Sequence, residues 1–131
     1  MIPTNELRIG NYITSKTLRF PCMVCSIGVN PKRLGIEVVS ANELTTTIRD
    51  FEAEPIPLTE EMVLKCGFGE VGFYDNVYHL EYFRIYLDKK SNQGLLKYED
   101  DNDTIEIEVE SVHQLQNVYF ALTGKELEIS L

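Results

Sequence analysis

Thr104-Ile105-Glu106-Ile107-Glu108-Val109-Glu110, followed at once by Ser111-Val112-His113-Gln114-Leu115-Gln116-Asn117-Val118-Tyr119-Phe120-Ala121-Leu122-Thr123-Gly124, decides the fold class. In the first string apolar and acidic residues alternate with a period of two. A strand there puts Ile105, Ile107 and Val109 on one face and Glu106, Glu108 and Glu110 on the other. In the second string Val112, Leu115, Tyr119 and Leu122 recur at helical intervals, Ser111 and Gln114 have capping-box spacing, and Gly124 stands where a C′ glycine ends a helix. A strand handing over to a helix of about three turns calls for an α+β protein.

Working towards the start of the chain, Leu95–Glu99 pairs naturally with Thr104–Glu110 as a hairpin around Asp100-Asp101-Asn102-Asp103. Tyr78-His79-Leu80 and Phe83–Leu87 read as strands, and Asp88–Gly94 as a polar turn. Thr59 caps a short helix with Glu60 and Glu61 in its first turn, Met62, Val63 and Cys66 as its apolar stripe, and Gly67 as its end. Before it, Pro55-Ile56-Pro57 stiffens the path and marks a lobe boundary. The first 50 or so residues carry a turn into a strand at Glu6–Ile13, then β-like runs at Phe20–Ile27, Gly35–Ser40 and Leu44–Ile48, with a hairpin connection at Gly28–Arg33. The expected architecture is therefore α+β. An N-terminal bent antiparallel sheet, an SH3-like barrel, occupies residues 1–54. An antiparallel sheet with two short helices occupies residues 55–131, and the two lobes form either two units or one compact domain.

The 131 residues suit this size, and a chain of that length buries roughly two thirds of its unfolded surface. The formal charge is −9, from 12 basic and 21 acidic side chains, and it is unevenly placed. Residues 1–65 carry seven basic and eight acidic groups, whereas residues 66–131 carry five and thirteen. Phosphate binding depends on lysine and arginine displacing counterions, so the second half is disfavoured as a nucleic-acid binder. No stretch approaches the run of about 20 apolar residues that a membrane span needs, and the first residues lack the pattern of a signal peptide. The expectation is a cytoplasmic protein with no membrane partner, and its three cysteines, an odd number, suit a reducing compartment.

Four motifs invite chemistry, and each fails a structural requirement. Cys22-Met23-Val24-Cys25 has C-x-x-C spacing, but zinc needs two further ligands from Cys66, His79 and His113, and thiols three apart on a strand point to opposite faces. No helix pattern follows Cys25 to lower a thiol pKa. Gly67-Phe68-Gly69-Glu70-Val71-Gly72 matches G-x-G-x-x-G, but a phosphate cradle needs a strand before it and a helix after it, and here the order is reversed. Glu99, Asp101, Asp103 and Glu110 outline a calcium loop, yet Thr104 stands where the loop glycine belongs. His79 lies beside Glu81, and His113 falls in the first turn of the last helix. Neither joins a convergent catalytic set. The expectation is a non-enzyme with no metal and no cofactor.

The residues that remain are aromatic and acidic. Tyr74, Tyr78, Tyr82 and Tyr86 share even spacing, so one continuous strand would align four phenols on a face suited to binding protein. The expected site combines Tyr78, Tyr82 and Tyr86 with Glu106, Glu108 and Glu110, and the expected partner is a protein. The alternatives are a nucleic-acid-binding patch of Arg8, Lys16, Arg19, Lys32, Arg33 and Arg49 on the N-terminal sheet, and an acidic mimic of nucleic acid.

Three strings, Glu6-Leu7-Arg8-Ile9-Gly10-Asn11-Tyr12, Pro55-Ile56-Pro57-Leu58-Thr59-Glu60-Glu61 and Val112 to Gly124, together give the chain a family likeness. It resembles an uncharacterised family of small proteins encoded in Bacteroidetes genomes, often in phage or prophage neighbourhoods. Met62 and Cys66 stand where that family's pattern has a Trp and a Phe. The resemblance implies a phage-related setting and carries no activity, cofactor or functional residue with it.

Overall fold

Among the described residues, ten strands form two antiparallel sheets of five strands each. The computed structural model describes residues 1–16, 18, 20–30, 33–39, 45–49 and 52–130. These divide into two compact units, Met1–Ile56 with Val112–Glu126, and Pro57–Ser111 with Leu127–Ser130. None of the described helices is long and apolar enough to cross a membrane.

In the first unit, a 3-10 turn at Thr4–Glu6 leads into β1 (Tyr12–Ser15), β2 (Cys22–Asn30), β3 (Arg33–Val39), β4 (Thr45–Arg49) and β5 (Ala53–Glu54). The order across the sheet is β4-β3-β2-β1-β5, so four sequential strands lie side by side and are followed by a return strand on the far side of β1. Ile13, Val24, Ile36, Val38 and Ile48 supply its core, with Ile2, Leu7, Cys22 and Ala53. A register shift between Val24 and Ser26 makes a bulge at Cys25, which bends the strand. The sheet is not closed into a barrel. The SH3-like barrel expected from the strand spacing is therefore replaced by an open sheet with β4 and β5 as its edges. Leu44, where the fourth run begins in the sequence, lies outside the described residues.

The last helix, α2 (Val112–Thr123), belongs to this unit rather than to the block that precedes it in sequence. Its polar side is the reason. Gln116 accepts the Tyr12 N–H at 2.7 Å and donates to the Gly10 carbonyl at 3.0 Å. Asn117 donates to the Glu6 carbonyl at 2.7 Å and accepts from the Asn11 side chain at 2.8 Å. Asn11 in turn accepts the Arg8 N–H at 2.7 Å. The Arg8 guanidinium bonds Asn117 and the Glu126 carboxylate and lies 4.4 Å over the Phe120 ring. Asn11 and Gln116 are both buried, so these partners replace water that neither side chain can reach. The strings Glu6–Tyr12 and Val112–Gly124 are thus two halves of one hydrogen-bonded network. After Thr123, the Gly124 N–H closes the helix on the Phe120 carbonyl at 2.8 Å.

In the second unit, α1 (Glu60–Lys65) is capped by Thr59, whose hydroxyl accepts the Met62 N–H at 3.3 Å, and Gly67 ends it at φ +90°. Strands β6 (Gly69–Glu70), β7 (Val77–Leu80), β8 (Phe83–Asp88), β9 (Gln93–Glu99) and β10 (Thr104–Val109) form an antiparallel meander after it. Phe83, Ile85 and Leu87 point to the core from β8 while Arg84, Tyr86 and Asp88 are exposed. Gly94 on β9 lies so close to its neighbours that a Cβ there would stand 3.1 Å from Ile85 and 3.2 Å from Leu58.

Candidate functional site

The tyrosines expected on one face are divided by a hairpin. Leu80 pairs with Phe83 across a two-residue turn in which Glu81 adopts φ +53°. Tyr78 pairs with Ile85 and faces the core, 2% exposed, while Tyr86 pairs with Val77 and Leu95 and faces the other way, 39% exposed. Tyr82 stands in the turn at 65% exposure, and Tyr74 lies in the β6–β7 loop at 71%. The even spacing would align four phenols only on an unbroken strand, and the turn at Glu81 and Tyr82 removes that condition.

Each ring has a defined setting. Burial pushes the Tyr78 hydroxyl up to about 12, reinforced by its hydrogen bond to Glu60. That same bond, together with Lys89 at 3.3 Å, holds the Glu60 carboxyl below its ordinary value. Tyr82 meets Tyr98 edge-on at 6.3 Å, and Tyr98 leans on Phe83 at 5.0 Å. The Tyr98 hydroxyl donates to Asp100 at 3.2 Å and is raised by desolvation first and by that carboxylate second. Phe73, between Gly72 and Tyr74 at the tip of the β6–β7 loop, is fully exposed and is the aromatic that sequence reasoning passed over. Its signal was an aromatic pair followed by Asp75-Asn76, where Asn76 adopts φ +67°.

The acidic strand takes the geometry its alternation demands. Glu106 and Glu108 are exposed, Val109 is buried, and Ile105 and Ile107 are half-buried on the opposite face. Register across the sheet sets His79, Arg84, Lys97 and Glu106 in one cross-strand row, and Val77, Tyr86, Leu95 and Glu108 in the next. The middle of this face thus carries basic and apolar groups, and its β10 side carries carboxylates. Lys97 pairs with Glu99 at 3.4 Å, and Gln93 donates to Glu110 at 3.2 Å. Counted by unit, Pro57–Ser111 with Leu127–Ser130 holds five basic and fourteen acidic side chains, a net of −9. The other unit holds seven of each and is neutral.

The remaining motifs resolve into structure. Cys22 is buried and Cys25 half-buried on one strand, where their thiols donate to the Phe20 and Glu37 carbonyls at 3.7 and 3.3 Å. Burial raises the Cys22 thiol and pushes Cys66 up to about 12, away from the thiolate that metal binding and nucleophilic attack require. Among the described residues no group of three or more His, Cys, Asp and Glu is placed to hold a metal ion. The G-x-G-x-x-G string begins two residues after α1 and contains strand β6, with strand β7 after it. Asp100 accepts the N–H groups of Asn102 and Asp103 at 2.8 and 2.7 Å and so closes the β9–β10 turn. His79 is exposed opposite Arg84, whereas His113 is buried and held below its ordinary pKa by desolvation, against a smaller opposing pull from Glu6. Of the basic patch, Arg8 is engaged by Glu126, Asn117 and Phe120, while Lys16 and Arg49 are exposed. Arg19, Lys32 and the side chain of Arg33 lie outside the described residues.

Compared with known proteins, the chain matches no family model, no curated protein and no solved structure.

Proposed function

We propose that the protein is a non-catalytic, cytoplasmic protein-binding module of phage or prophage origin, which holds a cationic protein partner on its acidic unit. The reading is carried by the division of charge, −9 on one unit and zero on the other. The exposed rings of Phe73, Tyr74, Tyr82 and Tyr86 all belong to the charged unit. Aromatic side chains supply large contact area at interfaces, and a one-signed field speeds and orients the approach of an oppositely charged partner. The phenol and carboxylate sites expected from the sequence enter this reading in altered form. Tyr82, Tyr86, Glu106 and Glu108 are accessible, Glu110 is exposed and bonded to Gln93, and Tyr78 is withdrawn into the core.

Capture from a native lysate tests it, using the wild type, a charge-reversed form (Glu106→Lys, Glu108→Lys, Glu110→Lys) and Phe73→Ala. A basic protein retained by the wild type at low salt, released as salt rises and lost from both variants is the expected result. Phe73→Ala should leave stability within about 0.5 kcal/mol of wild type, since the ring is in solvent. Identical partners on all three forms would overturn the proposal.

A further inference from the structure

Among the described residues, strand β10 is the outermost strand of its sheet, with β9 as its one neighbour there. In an antiparallel pair, alternate residues turn their N–H and C=O towards the neighbour or away from it. Two observations fix which residues of β10 turn away. At the turn, the Asp100 N–H donates to the Asp103 carbonyl at 3.0 Å, so that pair faces inward and Thr104, next along, faces outward. At the other end, the carbonyl of Glu110 accepts the Leu58 N–H at 3.3 Å on the side remote from β9. Counting by two from either end gives the same set, Thr104, Glu106 and Glu108. All three residues are exposed, and among the described residues none of their outward backbone groups takes a backbone partner.

Beyond Glu108 the chain covers its own edge. Pro57 bridges Ser111 in antiparallel sense, next to the bond from the Leu58 N–H to the Glu110 carbonyl. Residues 57–58 thus bridge the end of this edge and stop short of residues 104–108.

We infer that residues 104–108 of β10 are a docking edge for an extended basic segment of another protein, which adds as a sixth strand in line with residues 57–58. The open stretch of five residues is about 17 Å long and offers backbone donors and acceptors in alternation, the requirement for strand addition. Side-chain chemistry selects the occupant. Cross-strand neighbours share a face, so docked residues on the outer side lie against Glu106 and Glu108 and those on the inner side against Ile105 and Ile107. A segment alternating Lys or Arg with Val or Ile fits both. A second copy of this chain does not, because edge-to-edge pairing sets glutamates against glutamates, and outward charge of this kind is how natural edges resist self-association.

This inference rests on the protein-binding reading and is tested separately from it. The probe is a seven-residue peptide alternating Lys and Val, titrated into the isotope-labelled full chain, with a Glu–Val peptide as control. At saturation the Glu106 and Glu108 amides should exchange with solvent at least about tenfold more slowly, and those of Ile105 and Ile107, already in the ladder, should not change. Glu106→Pro removes an outward N–H and no ladder bond, as prolines on edge strands do. It should weaken the peptide about tenfold, which is about 1.4 kcal/mol. Glu106→Gln with Glu108→Gln should weaken it less and flatten its salt dependence. Unchanged exchange in the wild type, undiminished affinity in Glu106→Pro, or no binding of the Lys–Val peptide at low salt overturns the edge. A lysate partner that needs the acidic unit yet ignores Glu106→Pro also overturns the edge while leaving the module reading intact. One that ignores the charge reversal overturns the module reading.

Discussion

Gln116→Met is the sharpest test of the polar network that ties α2 to the start of the chain. Methionine matches glutamine closely in size, so the substitution adds no cavity cost and isolates the two hydrogen bonds. Losing them strands the Tyr12 N–H and the Gly10 carbonyl, whose partners stand at 2.7 and 3.0 Å. An unsatisfied buried backbone group costs about 1–3 kcal/mol. Tyr12 and Gly10 are half-buried rather than buried, which puts each near the lower end, about 1–1.5 kcal/mol. The expected loss is about 2–3 kcal/mol, and for a chain of this length it lowers Tm by about 10 °C. Urea unfolding at fixed pH measures the total, and exchange of the Tyr12 amide reports the site, since that proton should lose its protection first. A loss below about 0.5 kcal/mol with the Tyr12 amide still protected would refute the network as the anchor of the helix.

Other parts of the molecule give three further expected outcomes. Gly94→Ala should lower stability by about 1–2 kcal/mol, because the added Cβ presses on Ile85 and Leu58 by more than the strand gains from losing a glycine; a urea midpoint at or above wild type would contradict it. His113 is held neutral in the folded chain below the pH at which the unfolded chain takes up its proton. Stability should therefore fall as pH drops from above 6.5 towards the lowered folded value, and the slope should flatten in His113→Phe, measured as urea midpoints at pH 7.5 and 5.5. Cys66, buried and pushed up to about 12, should resist alkylation at pH 8 in the native protein and react when urea unfolds it, which mass spectrometry of labelled peptides detects.

The elements legible in the sequence are those whose signals are local. Alternation fixed β10, the Thr59 cap and Gly67 bounded α1, and Gly124 ended α2. Strands β5 and β6 are two residues long, too short to carry any period. The strands on either side of the β7–β8 turn were legible, but the turn itself contains no glycine or asparagine, and Glu81 takes a left-handed conformation that non-glycine residues seldom adopt, so nothing local set the break against the even tyrosine spacing. A period of two survives a two-residue turn, so the tyrosine spacing reads the same with or without a break. The network of Arg8, Asn11, Gln116 and Asn117 joins residues more than a hundred positions apart, and no local pattern announces such a pairing. For the acidic face, alternation told which side the glutamates take. That β10 is an edge depends on the order of the strands, which is a property of the whole sheet.

The assignment of α2 to the first unit also bears on how the chain is made. The strands of that unit leave the ribosome before residue 57, but Gln116 and Asn117, which satisfy Gly10, Tyr12, Asn11 and Glu6, come some sixty residues later. At roughly 5–20 residues per second the nascent N-terminal sheet waits several seconds for its helix. Of the acidic unit, Pro57–Ser111 is synthesised within that interval and Leu127–Ser130 only after α2, so neither unit is complete until residues well beyond 111 have been made.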